Sequence, residues 1–383
     1  MKSLLREASG AFGDVGMLLP VALALITKNG LNPFWALIVP GLMYIFVAYY
    51  YRLPVSVQPL KVFSATAIAV NASLEEITTG AILIGIIFIL LSFESFTRAV
   101  AKVFTLPVIR GIQLGTGLML IQSGLGFIMQ PFGQGVIALP GGFSLNLGIL
   151  FGIISALILL VLPNSKLPVS LFVLGLGITV GLIVTPTSLY NGTIQPAYWH
   201  LTNDPGVWWK SLVLLVLAQI PLSLGNAVFA TVETTRNYFG AQAVRVNAQN
   251  LLRGMGVFNI FAGLVGGIPV CHGSGGITAH YRFGARTWRA PVIIGITYLA
   301  LAFSTLFLGE SVLKLIPMFT LGVLLAFVGL EHCLLIREVS SRKDLIVIMT
   351  VASLAVATKN MTIAFVTGIT VGSIMQLKEA ESL

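Results

Sequence analysis

Long apolar stretches recur from one end of the chain to the other, separated by short polar turns. A helix needs about 20 mainly apolar residues to cross a bilayer. The pattern predicts an all-α polytopic membrane protein, because helices satisfy their backbone groups internally in lipid. We predict fourteen transmembrane segments, at residues 8–28, 32–50, 54–70, 77–95, 98–128 (broken near Pro107), 142–162, 168–185, 207–232, 246–268, 269–285, 290–308, 311–335, 344–357 and 361–377.

The third and tenth segments are short and are interrupted by proline or glycine. Pro54 and Pro59 bracket an extended stretch in the third, and a helix is expected to start near Pro59, since proline suits a first helical turn. In the tenth, Val270 and Cys271 should be extended, and the glycine-rich cluster 273–276 should open a helix. Matched interruptions in two halves of a chain are typical of a transporter binding site.

Four short motifs occur twice in the same order, which indicates an internal repeat. Each half holds seven segments, and an odd number inserts the second half upside down. We therefore predict an inverted repeat, with the first unit over 1–190 and the second over 205–383. The matched positions are Asp14 and Asn226, Pro54 and Pro269, Gly115 and Gly322, and GITVG at 177–181 and 368–372, at offsets of 212, 215, 207 and 191 residues.

The distribution of basic residues predicts the orientation. With the N-terminus in the cytoplasm, seventeen of the 22 Lys and Arg fall on the cytoplasmic side, as positive-inside loops require. Lys61 stays within the membrane, and Lys28, Lys210, Lys314 and Lys359 face outside. We expect a multi-pass protein of the cell (inner) membrane with both termini in the cytoplasm.

Composition narrows the class of protein further. Only 9% of residues are charged, against about 25% in soluble domains, and the net charge of +9 reflects loop residues rather than a nucleic-acid surface. The two cysteines, Cys271 and Cys333, make no disulfide framework. HExxH, GxSxG and Walker A motifs are absent from the sequence, which argues against an enzyme or an ATP-driven pump. We expect no cofactor and no metal site.

One charge, Lys61, lies near the middle of the third segment. A helix that starts near Pro59 puts it about one turn inside, where the helix dipole disfavours a cation by about 0.3–1 kcal/mol. Membrane depth costs a further amount of about 2.5–3.5 kcal/mol. Snorkelling is one explanation, but both ends of the segment are distant. A negative partner, either Asp14 or a bound anion, is the other.

Further polar residues lie inside the segments. Gln219, Ser223 and Asn226 are spaced i, i+4 and i+7, so one helix face should carry all three. An intramembrane carboxylate such as Asp14 is a functional candidate, with structural pairing to Lys61 as the alternative. Asn226 could instead bond neighbouring helices, and His272 could be a neutral hydrogen-bonded residue. The glycine cluster leaves free N–H groups that favour an anion, or simply lets helices pack closely.

Four stretches resemble one known family. They are SGAFGDVGMLLPVALAL, PVSVQPLKVFSATAIA, AQIPLSLGNAVFAT and GGIPVCHGSGGITAHYRFGART, spread over nearly the whole chain. They are similar to the molybdate-transporter family, distant kin of the sulfate permeases (SulP). The resemblance implies the uracil-transporter and sulfate-permease fold, with segments 1–4 and 8–11 in a core domain and 5–7 and 12–14 in a gate domain. We expect no cytoplasmic STAS-type domain.

The resemblance also implies a tetrahedral oxyanion held between the two half-helices. The contacts it implies, with two neighbours that we add from their positions (Ser223 and Gly275), are Asp14, Gln58, Lys61, Gln219, Ser223, Asn226, His272, Gly273, Ser274 and Gly275.

We therefore expect a secondary transporter of molybdate working by alternating access. Sulfate or tungstate is the alternative substrate, a nucleobase carrier is a more distant one, and anion-triggered signalling is left open. Moving a dianion into a cell costs about 4.6 kcal/mol per 100 mV, twice the single-charge value, so a coupled cation is needed. A proton is the simplest, with Asp14 and His272 as candidate carriers, which would make the protein a symporter. A homodimer is left open.

Overall fold

The computed structural model describes residues 2–12, 15–93, 95, 105–132, 136–138, 144–161, 169–184, 202–308 and 316–380. Helices dominate these ranges, and the chain is a multi-pass membrane protein. Asp14 and Lys314 lie outside the described residues, so the roles predicted for them stay predictions.

The first half of the chain contains eight helices and three short strands in the described residues. These elements are α1 (Lys2–Ala11), α2 (Val15–Asn29), α3 (Pro33–Tyr50), β1 (Gln58–Pro59), α4 (Lys61–Val70), α5 (Leu74–Leu91), α6 (Leu106–Ile128), β2 (Val136–Ala138), β3 (Ser144–Asn146), α7 (Leu147–Val161) and α8 (Val169–Val184).

The second half contains nine α-helices, two wide π-helical turns and one strand, again within the described residues. Two 3₁₀ turns, Gly240–Arg245 and Leu334–Glu338, follow the helices Ala230–Phe239 and Met318–Cys333. The elements are α9 (Pro205–Ser211), a π turn (Leu212–Val216), α10 (Gln219–Leu222), a π turn (Ser223–Phe229), α11 (Ala230–Phe239), α12 (Ala248–Val265), β4 (Val270–Cys271), α13 (Ser274–Arg282), α14 (Arg289–Leu308), α15 (Met318–Cys333), α16 (Arg342–Thr358) and α17 (Met361–Ala380).

Each of the fourteen predicted segments contains at least one helix. Only five described helices are long and apolar enough to span a bilayer alone, or six with the bent pair α9–α11. The number of crossings therefore stays a prediction. The first predicted segment, 8–28, is wrong at its start, because α1 ends at Ala11 and a separate helix, α2, runs from Val15 to Asn29.

The eighth segment bends by 42° between Pro205–Val216 and Gln219–Arg245. Pro221 lies just after the bend and has no N–H to bond back to the preceding turn. Two π turns flank the short helix α10, and such turns are a known cause of sharp kinks. The bend brings a run of polar side chains beside α4.

The two short strands β1 and β4 pair with each other across the two halves of the chain. The pairing is antiparallel, with Gln58 opposite Cys271 and Pro59 opposite Val270. Each strand leads into a short helix, α4 or α13. The two strands form a short ribbon and run in opposite directions. The helices α4 and α13 therefore start at opposite ends of this ribbon.

Glycines allow close contacts between helices of the two halves. In α3 and α14, a Cβ on Gly41 would lie 3.3 Å from the Gly295 carbonyl oxygen, and a Cβ on Gly295 would lie 3.1 Å from that of Gly41. Gly85 of α5 and Gly256 of α12 are related in the same way: a Cβ on Gly85 would lie 2.7 Å from the Gly256 carbonyl oxygen, and a Cβ on Gly256 would lie 2.9 Å from that of Gly85. Each glycine lets the opposing backbone approach closely.

Pairs of facing glycines also join α6 to α15. Gly117 faces Gly329 and Gly124 faces Gly322, and a Cβ on any of the four would lie only 2.5 or 2.4 Å from the opposing carbonyl oxygen. Gly115 faces Ala355 of α16, and its match with Gly322 in the internal repeat stays a prediction, since a match between two halves does not require a contact. Gly117 and Gly322, one from each of these contacts, are 205 residues apart.

Candidate functional site

The helix α4 begins at Lys61, immediately after the ribbon. The sequence placed its start near Pro59 and Lys61 one turn inside, but Pro59 is paired in β1 and Leu60 is the N-cap residue. Leu60 donates its N–H to the carbonyl oxygen of Pro269 at 3.1 Å, which extends the ribbon by one residue. Lys61 is therefore the first helical residue, directly at the positive end of the helix dipole.

Polar side chains from neighbouring helices brace both strands. Asn259 of α12 is fully buried; its side-chain carbonyl accepts from Val270 N–H at 2.9 Å, and its amide donates to Val270 C=O at 2.7 Å. On the other strand, the Tyr44 hydroxyl of α3 donates to the Val57 carbonyl at 3.0 Å. These bonds satisfy backbone groups that a two-residue strand leaves open in a buried place.

His272 ties the residue before α13 to the chain before β1. Its Nδ1 lies 2.8 Å from the Ser56 carbonyl oxygen, which can only accept, so Nδ1 carries the proton. Ser56 returns a bond, since its hydroxyl donates to the Gly273 carbonyl at 2.7 Å. The His272 side chain is 0% exposed, and its Nε2 has no hydrogen-bond partner among the described residues. This geometry favours a positioning role for His272.

Gln58 and Gly273 are in tight contact where β1 crosses the start of α13. A Cβ on Gly273 would lie 2.0 Å from Gln58 Oε1 and 2.7 Å from Cδ. Gln58 is 0% exposed, so its amide has little room to move away. The φ of Gly273 is −164°, an ordinary extended value, so the glycine is required for space and not for backbone conformation.

Gln219 caps the N-terminus of α4 from a different segment. Its side-chain carbonyl accepts the Phe63 N–H at 3.0 Å, and its amide donates to the Ser223 hydroxyl at 2.9 Å. Both side chains are buried. A helix leaves its first N–H groups without intrahelical partners, and Gln219 takes one of them at α4.

Asn226, in the π turn of the eighth segment, contacts the other short helix, α13. The Ser274 hydroxyl donates to Asn226 Oδ1 at 3.0 Å, which joins the wide turn after α10 to the first residue of α13. The sequence placed Gln219, Ser223 and Asn226 on one helix face. Gln219 and Ser223 do share a face, since they are hydrogen-bonded, whereas Asn226 lies within the π turn Ser223–Phe229 and contacts Ser274 instead. Gly275 is exposed and a Cβ there would meet nothing within 4 Å, so α13 begins beside open space.

Lys61 is almost enclosed, with 6% of its side chain exposed. It lies close enough to His332 of α15 for an electrostatic interaction. The His332 ring is held by a bond of 2.9 Å from Nδ1 to the Val328 carbonyl oxygen. The predicted partner Asp14 lies outside the described residues, so its pairing with Lys61 stays a prediction.

The assembled site combines one buried cation with neutral donors and helix N-terminal N–H groups. No side-chain cap occupies the start of α13, and helix N-termini with free N–H groups favour anions. Within the described residues, no group of three His, Cys, Asp or Glu side chains could hold a metal ion. Such a site can bind and release an oxyanion through hydrogen bonds and charge.

Sequence reasoning missed four residues that shape this region. They fix backbone groups or charge around the ribbon: Tyr44, Asn259 and His332 do so from other helices, and Ser56 from the extended stretch inside the third segment. Asn259 carried a usable signal, a polar amide in the middle of an apolar helix. The other three look like ordinary helix or loop residues until distant segments meet them.

Known proteins similar to this chain are transporters. Molybdate transporter 2 of Arabidopsis thaliana is 25% identical over 98% of this chain and 88% of its own length. Molybdate transporter 1 of the same plant is 27% identical over 96% of this chain and 87% of its own length.

Solved structures show the same fold at lower identity. The transmembrane domain of a cyanobacterial bicarbonate transporter, BicA, superposes with a TM-score of 0.68 at 18% identity, over 95% of this chain and 98% of that chain. Murine Slc26a9, an anion transporter in the inward-facing state, gives 0.70 at 16% identity, over 98% and 68%. The family profile described as "Molybdate transporter of MFS superfamily" matches residues 6–120 and 211–331, more than half of the chain. The chain belongs to this family of molybdate transporters, as its motifs predicted.

Proposed function

We propose that the protein is a secondary active transporter of a tetrahedral oxyanion, molybdate in the first place. The observation that carries this proposal is the ribbon of β1 and β4, from which two short helices begin with Lys61 at the start of one. Family membership and the similarity to named molybdate transporters support the choice of substrate. The anion would be held between the beginnings of α4 and α13.

In this proposal the two helix starts make different contacts. At α13, the uncapped N–H groups and the Ser274 hydroxyl would donate to the oxyanion, with Asn226 orienting Ser274. At α4, Gln219 already takes one N–H, and Lys61 would supply charge. A charge-assisted contact in a largely desolvated site is about twice as strong as a neutral one. Gln58 and His272 would keep the crossing rigid.

The helix packing supports a core and a gate domain built from an inverted repeat. Helices α2–α5 pack with α9–α14, and α6–α8 pack with α15–α17. Gly41 contacts Gly295 just as Gly256 contacts Gly85, and Gly41 and Gly256 are 215 residues apart, the offset of the two prolines before the strands. A two-fold relation between the halves produces such reciprocal contacts. Alternating access would then move the gate against the core.

Titration of the purified protein with molybdate, tungstate and sulfate tests the substrate. We expect saturable binding of at least one of these oxyanions, with molybdate the tightest, and uptake of the same ion into proteoliposomes. Binding without flux would indicate a sensor. Binding of uracil or another nucleobase in place of any oxyanion would exclude the proposal.

Coupling to protons completes the proposed mechanism. Two charges moved against the membrane potential cost about 4.6 kcal/mol per 100 mV, which one or more protons would offset. Asp14 is the first candidate carrier and His272 the second. A proton that bound to the enclosed Nε2 of His272 would have no hydrogen-bond acceptor among the described residues, which makes His272 the weaker candidate. An imposed pH gradient, inside alkaline, should raise the initial uptake rate. Uptake that ignores the gradient would exclude proton coupling.

The same proposal places both termini in the cytoplasm of a cell with an inner membrane. Seventeen of the 22 basic residues then lie on the cytoplasmic side. A reporter fused after Leu383 should be read inside the cell, and a reading outside would reverse the orientation.

A further inference from the structure

A cavity with two lysines on its walls lies away from the ribbon, where α2 and the end of α4 meet α6, the start of α15 and the end of α16. Its volume is about 340 Å³. Lys28 at the end of α2 and Lys359, which follows α16, both line it. Gln122, Ser123 and Gln130, on α6 and just beyond its end, add polar groups between them. The cavity therefore joins a helix proposed for the core to helices proposed for the gate.

The charge in this cavity is positive, with no acidic counterpart on its described walls. None of the described residues that line it is Asp or Glu, and neither lysine takes part in an ion pair among the described residues. Two like charges that face one cavity repel each other, and an anion between them would remove that cost.

The helix ends around the cavity change this balance only in part. Lys28 and Lys359 lie at helix C-termini, each of which carries a charge equivalent to about −0.5. The N-terminus of α15 at Met318 also lines the cavity and has no side-chain cap, so it adds about +0.5. Two full positive charges exceed these partial ones, and the net field favours an anion.

The position of the two lysines on the chain adds a separate argument. Only four of the 22 basic residues fall on the side of the membrane that positive-inside sorting makes external, and two of those four meet in this cavity. A third, Lys210, is instead paired with Glu76.

We propose that Lys28 and Lys359 form an entry site that captures the dissolved oxyanion before it reaches the ribbon. This inference rests on the proposed transport function. The site is open and wet, so it binds weakly and acts by raising the local concentration of the anion. Lys28 lies on α2, which is proposed for the core, and Lys359 follows α16, which is proposed for the gate. The distance between the two lysines should therefore change as the gate moves, and the site should bind the anion most strongly in one state of the transport cycle.

Uptake kinetics of Lys28→Gln/Lys359→Gln in proteoliposomes test the proposal. At low ionic strength we expect KM for molybdate to rise about tenfold with Vmax retained, since a charged cleft raises local ion concentration by about that factor or more. The difference should vanish near 1 M salt, where the Debye length is about 3 Å. Lys343→Gln, at the opposite end of α16, removes the same charge and should leave KM unchanged. An unchanged KM in the double variant, beside an active wild type, overturns the entry site and leaves the transport function standing.

A second readout does not depend on transport. A sulfonated amine-reactive reagent that does not cross membranes should label Lys28 and Lys359 from outside, and molybdate should protect both. Lys210 should be labelled equally with and without molybdate. Protection that follows the anionic-lipid content of the vesicles instead would assign the lysines to headgroups, and would overturn the proposal. If the wild type does not transport any oxyanion, the proposed function fails, and this protection experiment alone decides whether the cavity binds one.

Discussion

The two helix starts at the ribbon have the same backbone plan but different chemistry. The start of α4 is buried, carries Lys61, and has one N–H taken by Gln219. The start of α13 carries no charge, is uncapped, and is open at Gly275.

In the proposed site, this difference would divide the work of binding between the two helix starts. A site made of two identical charged starts would hold a dianion too firmly for release, and two neutral ones would lack attraction at membrane depth. With charge on one side and accessible N–H groups on the other, the proposed anion would be attracted by Lys61 and contacted by α13. Substitutions at four places would break or sharpen this difference.

The largest effect should come from removing the brace of β4. Asn259→Leu leaves the N–H and C=O of Val270 buried without partners, and each such group costs about 1–3 kcal/mol. We expect the free energy of unfolding to fall by about 2–5 kcal/mol, measured by thermal unfolding in detergent. Tyr44→Phe removes the single bond to Val57 on the other strand and should cost about 1 kcal/mol. Equal losses would show that the two strands are braced alike.

The next effect concerns the crossing of Gln58 and Gly273. Gly273→Ala places a methyl group 2.0 Å from Gln58 Oε1 in a packed site, and overpacking of this kind costs about 1–3 kcal/mol. We expect a lower unfolding temperature and weaker oxyanion binding. Gly275→Ala is the matched control, because its Cβ meets nothing within 4 Å. If both variants behave like the wild type, Gln58 moves freely and the crossing is loosely packed.

The charge at α4 sets the third expectation. Lys61→Ala should weaken oxyanion binding at least about tenfold, or 1.4 kcal/mol, because a charge-assisted contact is lost from an enclosed site. Lys61→Arg should restore binding only in part, since a planar guanidinium does not replace a compact ammonium. Lys343→Gln serves as the control for loss of charge elsewhere. A titration that finds wild-type affinity in Lys61→Ala would leave binding to helix dipoles and neutral donors.

The smallest effect should come from the bond between α13 and the eighth segment. Asn226→Ala and Ser274→Ala each remove one partner of a 3.0 Å hydrogen bond, worth about 0.5–1.5 kcal/mol. In a double-mutant cycle on the molybdate Kd, the two changes should be less than additive, because they delete the same interaction. Strict additivity would mean that Asn226 does not act through Ser274.

The sequence determined the elements by itself. Apolar runs and prolines located most of the described helices to within a few residues, the start of the first segment excepted, because insertion into lipid depends on local composition. The same reasoning identified Lys61 as a charge that needs a negative partner and Gln219 as a polar residue inside a segment, and it matched the prolines before the two strands at an offset of 215 residues. Ser274 became a candidate contact only through the family resemblance.

Only the tertiary structure decided how these elements contact one another. That Lys61 is the first residue of α4, that Gln219 caps that helix, and that Gly117 faces Gly329 all depend on distant segments approaching each other. The π turn Ser223–Phe229 directs Asn226 toward Ser274, and the period of a regular α-helix does not predict such a turn. The physical reason is that hydropathy fixes where a helix lies in the bilayer, whereas side-chain size and hydrogen bonding fix its rotation and its partners.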